Sequence, residues 1–326
     1  MSQSIHSYRA TALPTNERDI MTIKHTILGA NGIIGRTLAE HLRSLDTSVR
    51  LVDRAPATSQ GDTIHADLLD LEQTRHAVAD ADVVHFAVGL PYDNAVWATQ
   101  FPAILKNVIA ALEGSYSRLV FMDNVYMYGK VNGAMTEDQA HNAATVKGLA
   151  RKNLIDQLSA SKIDYVVARS ADFYGPGANS NSLLNLFILA NLKAARPANW
   201  LGGVDFKHSF TYTRDIAAAM VVLAEAQGVS RTTWHIPTVA PALTIRELAQ
   251  HGAEALGSKD PTDFQILTLA AVTEYAKQDV VMEATSEMFY QFDSDYVFDS
   301  SRYEKRFSIQ PTPFDTGIRE TLALIS

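Results

Sequence analysis

An α/β fold built on one doubly wound parallel sheet follows from two features of the sequence. Apolar strand-length runs alternate with amphipathic helix-length segments, and a glycine-rich turn joins the first pair. The first run, Lys24 to Leu28, passes through Gly29-Ala30-Asn31-Gly32-Ile33-Ile34-Gly35 into an amphipathic helix from Ile33 to Leu45. Glycines three apart at such a junction permit a tight turn and close packing of helix on strand. They also let a pyrophosphate approach the backbone N–H groups at the positive end of the helix. Val49-Arg50-Leu51-Val52 is the second strand, and Asp53 ends it eighteen residues after Gly35. A carboxylate there can accept hydrogen bonds from an adenosine ribose. Strand, glycine turn, helix, strand and acid in that order predict a dinucleotide site.

The alternation continues. Thr63-Ile64-His65 reads as a strand, followed by a helix from about Leu69 to Ala79. Val83 to Val88 is almost continuously apolar, which suits a strand buried on both faces. A long helix with little polar surface spans Ala95 to Leu112. Strands at Leu119–Met122 and Tyr165–Ala168 flank a helix from Ala144 to Leu158. Repeated β-α units joined by right-handed crossovers make a parallel sheet covered on both faces. Beyond Phe173-Tyr174-Gly175-Pro176-Gly177 the pattern loosens, with helices at Ser182–Leu192 and Arg214–Ala226 and a late strand at Thr233–Ile236. From about Pro261 the pieces shorten and include the aromatic run Met288 to Phe292, expected mainly in the core of a small lobe. Such a lobe can cover the carboxyl ends of the strands, where open sheets bind ligands. The expected division is an extension over residues 1–21, a dinucleotide-binding core over 22–175 with later pieces from about 204–240, and a C-terminal substrate lobe from 176–203 and 241–326.

Composition narrows the function classes. The chain has 326 residues, a formal charge of -8 and no cysteine, so thiolate metal sites, disulfides and cysteine nucleophiles are excluded. Net negative charge without a Lys/Arg cluster argues against nucleic acid or an anionic membrane as partner. No stretch reads as a roughly twenty-residue membrane span, and Met1 to Ile20 lack an apolar signal core. A cytoplasmic protein is the expectation. No His/Asp/Glu grouping has metal-ligand spacing, so no metal site is expected.

The chain resembles the extended short-chain dehydrogenase/reductase superfamily, in its NAD-dependent epimerase/dehydratase branch, from about Lys24 to the C-terminus. Beside the glycine turn, Ala66-Asp67-Leu68-Leu69 resembles the acidic turn that contacts adenine, and Val83-Val84-His85-Phe86-Ala87 the fourth-strand motif whose Ala lies against the cofactor. Val125-Tyr126-Met127-Tyr128-Gly129 matches the end of the fifth-strand motif. Arg169-Ser170-Ala171-Asp172-Phe173-Tyr174-Gly175-Pro176 resembles the sixth, and Phe210 to Ala217 a later one. The resemblance implies a Rossmann fold with NAD on Gly29, Asn31, Gly32, Ile33, Ile34, Gly35, Asp53, Arg54, Asp67, Leu68, Ala87 and Lys147. It also implies a homodimer through the Ala95–Leu112 and Lys147 helices.

The departures from that family bear on chemistry. Family catalysis uses a Tyr with a Lys four residues later, and a Ser or Thr on the fifth-strand loop. Aligned back from Arg169, which lies twenty-two residues beyond it, the Lys falls on Lys147 and the Tyr position holds Ala143. The alternative register, with Lys147 and Arg151 in those places, also lacks the phenol. Asn124 stands at the Ser/Thr position, with Asp123 before it. Its amide can donate a hydrogen bond but cannot serve as an acid. Tyr126, at the mouth of the site, is the candidate replacement, ahead of His141, Asp123, Asp172 and Tyr174. His85 and His208 read as structural. Tyr126 and Lys130 are four apart, but in a loop, where that spacing creates no shared face.

Asp53 favours NAD over NADP because a carboxylate repels the additional phosphate, while Arg54 and Arg36 leave NADP open. The leading expectation is an NAD(P)-dependent epimerase/dehydratase-like enzyme of a sugar nucleotide or related polar small molecule, with Asn124, Tyr126 and Lys147 catalytic. The alternatives are a carbonyl reductase of an apolar substrate, if the rings from Phe289 to Phe298 face the cleft, and a cofactor-sensing protein without turnover.

Overall fold

The computed structural model describes residues 23–55, 62–179, 181–258 and 263–325, and the expected extension over residues 1–21 lies outside the described residues. The elements run β1 (His25–Leu28), α1 (Ile33–Ser44), β2 (Val49–Asp53), β3 (Asp62–His65), α2 (Leu71–Val78), β4 (Val83–Phe86), α3 (Asn94–Leu112) and β5 (Arg118–Asp123). A 3₁₀ turn at Tyr126–Tyr128 precedes α4 (Val146–Ala160), β6 (Asp164–Arg169) and β7 (Asp172–Tyr174). A π-helical stretch, Leu184–Leu189, runs into α5 (Ala190–Lys193), followed by β8 (Ala198–Leu201), β9 (Phe210–Tyr212), α6 (Thr213–Glu225) and β10 (Thr232–His235). The chain closes with α7 (Ile245–Ala255), β11 (Phe264–Leu267), α8 (Leu269–Tyr275), α9 (Val280–Glu287), α10 (Ser301–Phe307) and α11 (Phe314–Leu324).

Seven strands form one sheet in the order β10-β6-β5-β4-β1-β2-β3, every pair parallel. The doubly wound architecture expected from the alternation is present. Side chains alternate across the sheet even where the sequence reads as uniformly apolar. Val120 and Val166 face α1 and α6 on one side, and Leu119, Phe121 and Val167 face α2, α3 and α4 on the other. Both faces being buried removes the polar half of the usual period-two pattern.

Winding reverses between β1 and β4, so a crevice opens outside their carboxyl ends. The smaller lobe lies beyond β6, with its own core of Trp200, Phe210, Leu248, Phe289, Phe292 and Ile318 and two short parallel pairs, β8 with β11 and β7 with β9. A further cluster of Val125, Met127, Tyr128, Tyr296 and Phe298 ties the loop after β5 to the C-terminal segment.

One expectation is corrected. By length and composition alone, the 19 residues of α3 are enough to cross a membrane. In the fold α3 packs between α2 and α4, burying Trp97, Phe101, Ile104, Leu105, Val108 and Leu112.

Candidate active site

The three glycines of the first turn do separable jobs. Gly29 has φ +83°, and a Cβ there would stand 2.7 Å from the Ala87 carbonyl oxygen and 2.8 Å from Val88 Cα. Its missing side chain therefore lets the ends of β1 and β4 meet. A Cβ on Gly35 would overlap the Gly29 carbonyl, so this position sets how closely α1 lies on β1. Gly32 is looser, with 3.2 Å from a Cβ to that same oxygen. Helices α2, α3 and α4 carry side-chain caps from Asp70, Asp93 and Thr145, whereas α1 has none. The first-turn amides of α1 thus stay open to an anion, and Gly32, Ile33 and Ile34 line a cleft of about 590 Å³. An uncapped helix start behind a glycine turn fits a dinucleotide diphosphate.

At the other side of the turn lies a small recess of about 70 Å³ lined by Gly29, Asp53, Arg54, Asp67 and Leu68. One Asp53 oxygen accepts the Asn31 N–H at 3.0 Å and the other the Ala55 N–H at 3.2 Å. The acid therefore braces the turn from the end of β2. Asp67 accepts the Leu69 N–H at 3.0 Å, and the Leu68 carbonyl accepts from the Asn107 amide at 2.9 Å. Arg36 donates back to the Asn31 carbonyl while lining the cleft. The expected cofactor residues are brought together, with Lys147 the exception.

The cleft's far wall carries Asn124, Tyr126, Tyr92, Trp97 and Arg151. Asn124 accepts the Tyr126 N–H through its side-chain oxygen at 3.2 Å, so its NH₂ is the group left for a ligand. The Tyr126 ring stacks on Trp97 with centroids 6.0 Å apart, and its hydroxyl pairs with that of Tyr92. Burial, then neighbouring groups that include Asp172, raises both phenols above their ordinary range. Both are proton donors at neutral pH. Tyr92 escaped the sequence reading; its only signal is its place in the loop after β4, beside Gly89.

Lys147 lies in the first turn of α4 behind the Thr145 cap, so Ala143 precedes the helix. Its ammonium is fully buried, donates to Asn94 Oδ1 at 2.6 Å and sits 4.2 Å from the Tyr92 ring centroid. Burial brings its pKa down to about 8, against the pull of Glu287, Asp93 and Glu283. Lys147 is not on the cleft wall. Arg151, one helical turn on, is there instead, over Trp97 at 4.8 Å and Phe101 at 4.5 Å. Lys147 and Arg151 therefore share α4, whereas Ala143 lies ahead of it.

Beneath this wall runs a buried polar chain. Asp123 accepts from Arg169 Nε at 3.0 Å and lies 3.7 Å from Arg151 Nη1. Arg169 Nη1 donates to the Tyr128 hydroxyl at 2.6 Å, and that hydroxyl lies 2.7 Å from His235 Nε2. His235 Nδ1 is 2.8 Å from the Asp299 carbonyl, which can only accept. The proton therefore sits on Nδ1 and Tyr128 donates to Nε2. Burial, with Arg169 nearby, lowers the His235 pKa to about 3, so the imidazole is neutral. Asp123 is thus held as part of a fixed network.

The remaining candidates disperse. His141 tilts against Tyr128 at 5.7 Å. Tyr174 is wholly buried in the lobe core, and His85 is buried against His25 at 2.9 Å. His208 is buried and meets Asp172 at 2.9 Å. Lys130 is exposed and pairs with Asp293. Among the described residues no three His, Asp or Glu side chains gather as a metal site.

Comparison with known proteins gives the following. The family model described as NAD dependent epimerase/dehydratase family matches residues 25–236. No curated protein matches by sequence. Among solved structures, dTDP-glucose 4,6-dehydratase from Bacillus anthracis in complex with NAD superposes with TM-score 0.75 at 14% identity, covering 93% of this chain and 96% of that one. UDP-glucose 4-epimerase from Thermus thermophilus in complex with NAD gives TM-score 0.74 at 16% identity over 93% and 99% of the chains. UDP-glucuronic acid 4-epimerase from Bacillus cereus, with UDP-glucuronic acid and NAD, gives 0.74 at 16% over 93% and 99%. At these identities the likeness speaks for the fold.

Proposed function

The chain belongs to the NAD dependent epimerase/dehydratase family, and on that premise we propose that it is an NAD-dependent enzyme acting on a sugar nucleotide or a related polar small molecule. The reaction is a redox step, or a transient oxidation followed by epimerisation or dehydration. The observation that carries this reading is one continuous cleft. It runs from the uncapped start of α1 to Asn124, Tyr126 and Tyr92. The UDP-glucuronic acid bound in one similar fold, and the nucleotide sugars that name two others, support the substrate class.

Nicotinamide, when bound, supplies the hydride chemistry. The chain's own part is to hold the diphosphate on the Ile33–Gly35 amides, accept a hydrogen bond from the adenosine ribose at Asp53, and manage one proton. Asn124 orients a substrate oxygen through its NH₂, and Tyr126 gives or takes the proton. Tyr92 relays to Tyr126 by their shared hydroxyl contact, and Lys147 acts from behind the Tyr92 ring. Arg151 takes the place at the cleft wall where a cation can meet the cofactor.

Fluorescence titration should show tighter binding of NADH than of NADPH, and a strong NADPH preference would overturn the cofactor assignment. A screen of NADH oxidation against sugar nucleotides and carbonyl compounds then tests turnover. Tyr126→Phe should lower kcat by about 10²-fold or more, the usual worth of a positioned acid; unchanged turnover removes its role.

A second reading, cofactor binding without turnover, is favoured by one observation: the Lys147 ammonium is spent on Asn94 and Tyr92. Bound NADH with no oxidation across the screen would select it. The apolar-substrate alternative loses its basis, since Phe289 and Phe292 lie in the lobe core and Tyr296 and Phe298 in the cluster under the β5 loop. We also propose a homodimer through α3 and α4, supported by the exposed Val146 and Leu149 on α4. A purely monomeric species in micromolar sedimentation would dismiss it.

A further inference from the structure

The cleft is lined by two carboxylates, and their surroundings differ. Asp123 is met by the guanidiniums of Arg169 and Arg151. Asp172, at the start of β7, is met by no guanidinium or ammonium among the described residues. One of its oxygens is 2.9 Å from His208 Nε2, and the other has no hydrogen-bond partner among the described residues. The carboxylate side chain keeps 14% of its surface exposed, against 3% for the imidazole behind it.

That imidazole is itself immobilised. It stacks on Phe210 at 4.7 Å and on Phe292 at 6.0 Å, with Trp200 edge-on at 5.9 Å. Asp172 is thus aimed by a ring that cannot turn away, and the phenols of Tyr92, Tyr126, Tyr290 and Tyr296 lie within its electrostatic reach, while the cleft's cations, Arg36 and Arg151, form no ion pair with it among the described residues. In such an aromatic setting a carboxylate backed only by an imidazole acts on a ligand more strongly than it would in water. A ligand group arriving there meets an acceptor with spare lone pairs: a hydroxyl or ammonium is held, and an anion is repelled.

We propose that Asp172 determines specificity at the substrate end of the cleft, selecting a ligand with a hydroxyl or ammonium donor there and rejecting one with a carboxylate. This rests on the sugar-nucleotide reading and deepens it: the substrate is a neutral or amino sugar nucleotide and not a uronate. The preference comes from charge placement, so it should persist in any ligand that seats its sugar against β7.

The test compares UDP-glucose with UDP-glucuronic acid, which differ only in a hydroxymethyl group and a carboxylate, titrated calorimetrically into the NADH-loaded protein. Wild type should bind UDP-glucose at least about tenfold tighter, the scale expected from one like-charge encounter. Asp172→Asn, which keeps shape and an acceptor for His208, should bring the two affinities within about threefold, mainly by tightening UDP-glucuronic acid. Asp172→Ser should do the same if the Asn variant misfolds. Equal or reversed wild-type affinities overturn the proposal, as does a ratio unchanged by both variants. Failure of either sugar nucleotide to bind a protein that does bind NADH would instead sink the sugar-nucleotide reading, and this inference with it.

Discussion

The two ends of the cleft are built on different principles. At the glycine end, backbone makes the site: Gly29 and Gly35 let main chains touch, and the uncapped amides of α1 are the groups left open to a ligand. At the proton end, side chains make it. Asn124, Tyr126 and Tyr92 are positioned by Trp97, by Lys147 and by the Asp123–Arg169–Tyr128–His235 chain. A backbone site tolerates almost any neighbouring side chain but no Cβ at its close contacts. A side-chain site can exchange its chemical groups while the fold stays the same. A chain can therefore keep its glycine turn while the groups at the other end of the cleft vary.

The sharpest attack on this contrast is Arg169→Met. It strips Asp123 and Tyr128 of their buried partner and should cost about 3–5 kcal/mol in denaturant unfolding. A loss below about 1 kcal/mol would mean that the proton end does not depend on its network. Gly35→Ala should cost about 1–3 kcal/mol as Gly29 and α1 are forced apart, and NADH binding should fall in parallel. Retained NADH affinity in that variant would break the backbone half of the comparison.

A milder probe is pH. His235 resists protonation in the fold down to about 3 against an ordinary 6.5, because it is buried. Below pH 6.5 the unfolded chain binds a proton that the native state refuses. The stability this neutral imidazole contributes is therefore complete above 6.5 and lost as pH falls toward 3. His235→Gln should flatten the melting temperature across that window, and an unchanged slope would place the acid sensitivity elsewhere. The smallest effect is expected at Asp53, where removal of one acceptor should weaken NADH by about 1 kcal/mol. Asp53→Ala should leave NADPH less affected, and equal losses would show the acid to be only a brace for Asn31 and Ala55.

Much of the core was legible because its signals are local. Expected strands and helices fall within a residue or two of the observed ones, the differences arising at caps. Asp70 and Thr145, for example, stand just outside the helices they begin. The lobe was less legible. Ser182–Leu192 read as one helix, but the chain widens into a π-helical stretch over Leu184–Leu189 before α5, and β8 and β11 pair across sixty-odd residues. Neither leaves a local period. At the site, Tyr92 and Tyr126 meet from the loops after β4 and β5, so no spacing rule links them.

By itself the sequence determined the parallel α/β architecture, the glycine turn and the acid at the end of the second strand, because turn geometry and helix or strand periodicity are written within a few neighbouring residues. Only the tertiary structure decided that Lys147 turns inward to Asn94 while Arg151 reaches the cleft, that Tyr92 joins Tyr126, and that Asp123 meets two guanidiniums while Asp172 meets an imidazole. Those outcomes depend on which distant side chains share a buried space, and burial and charge pairing are properties of the packed chain.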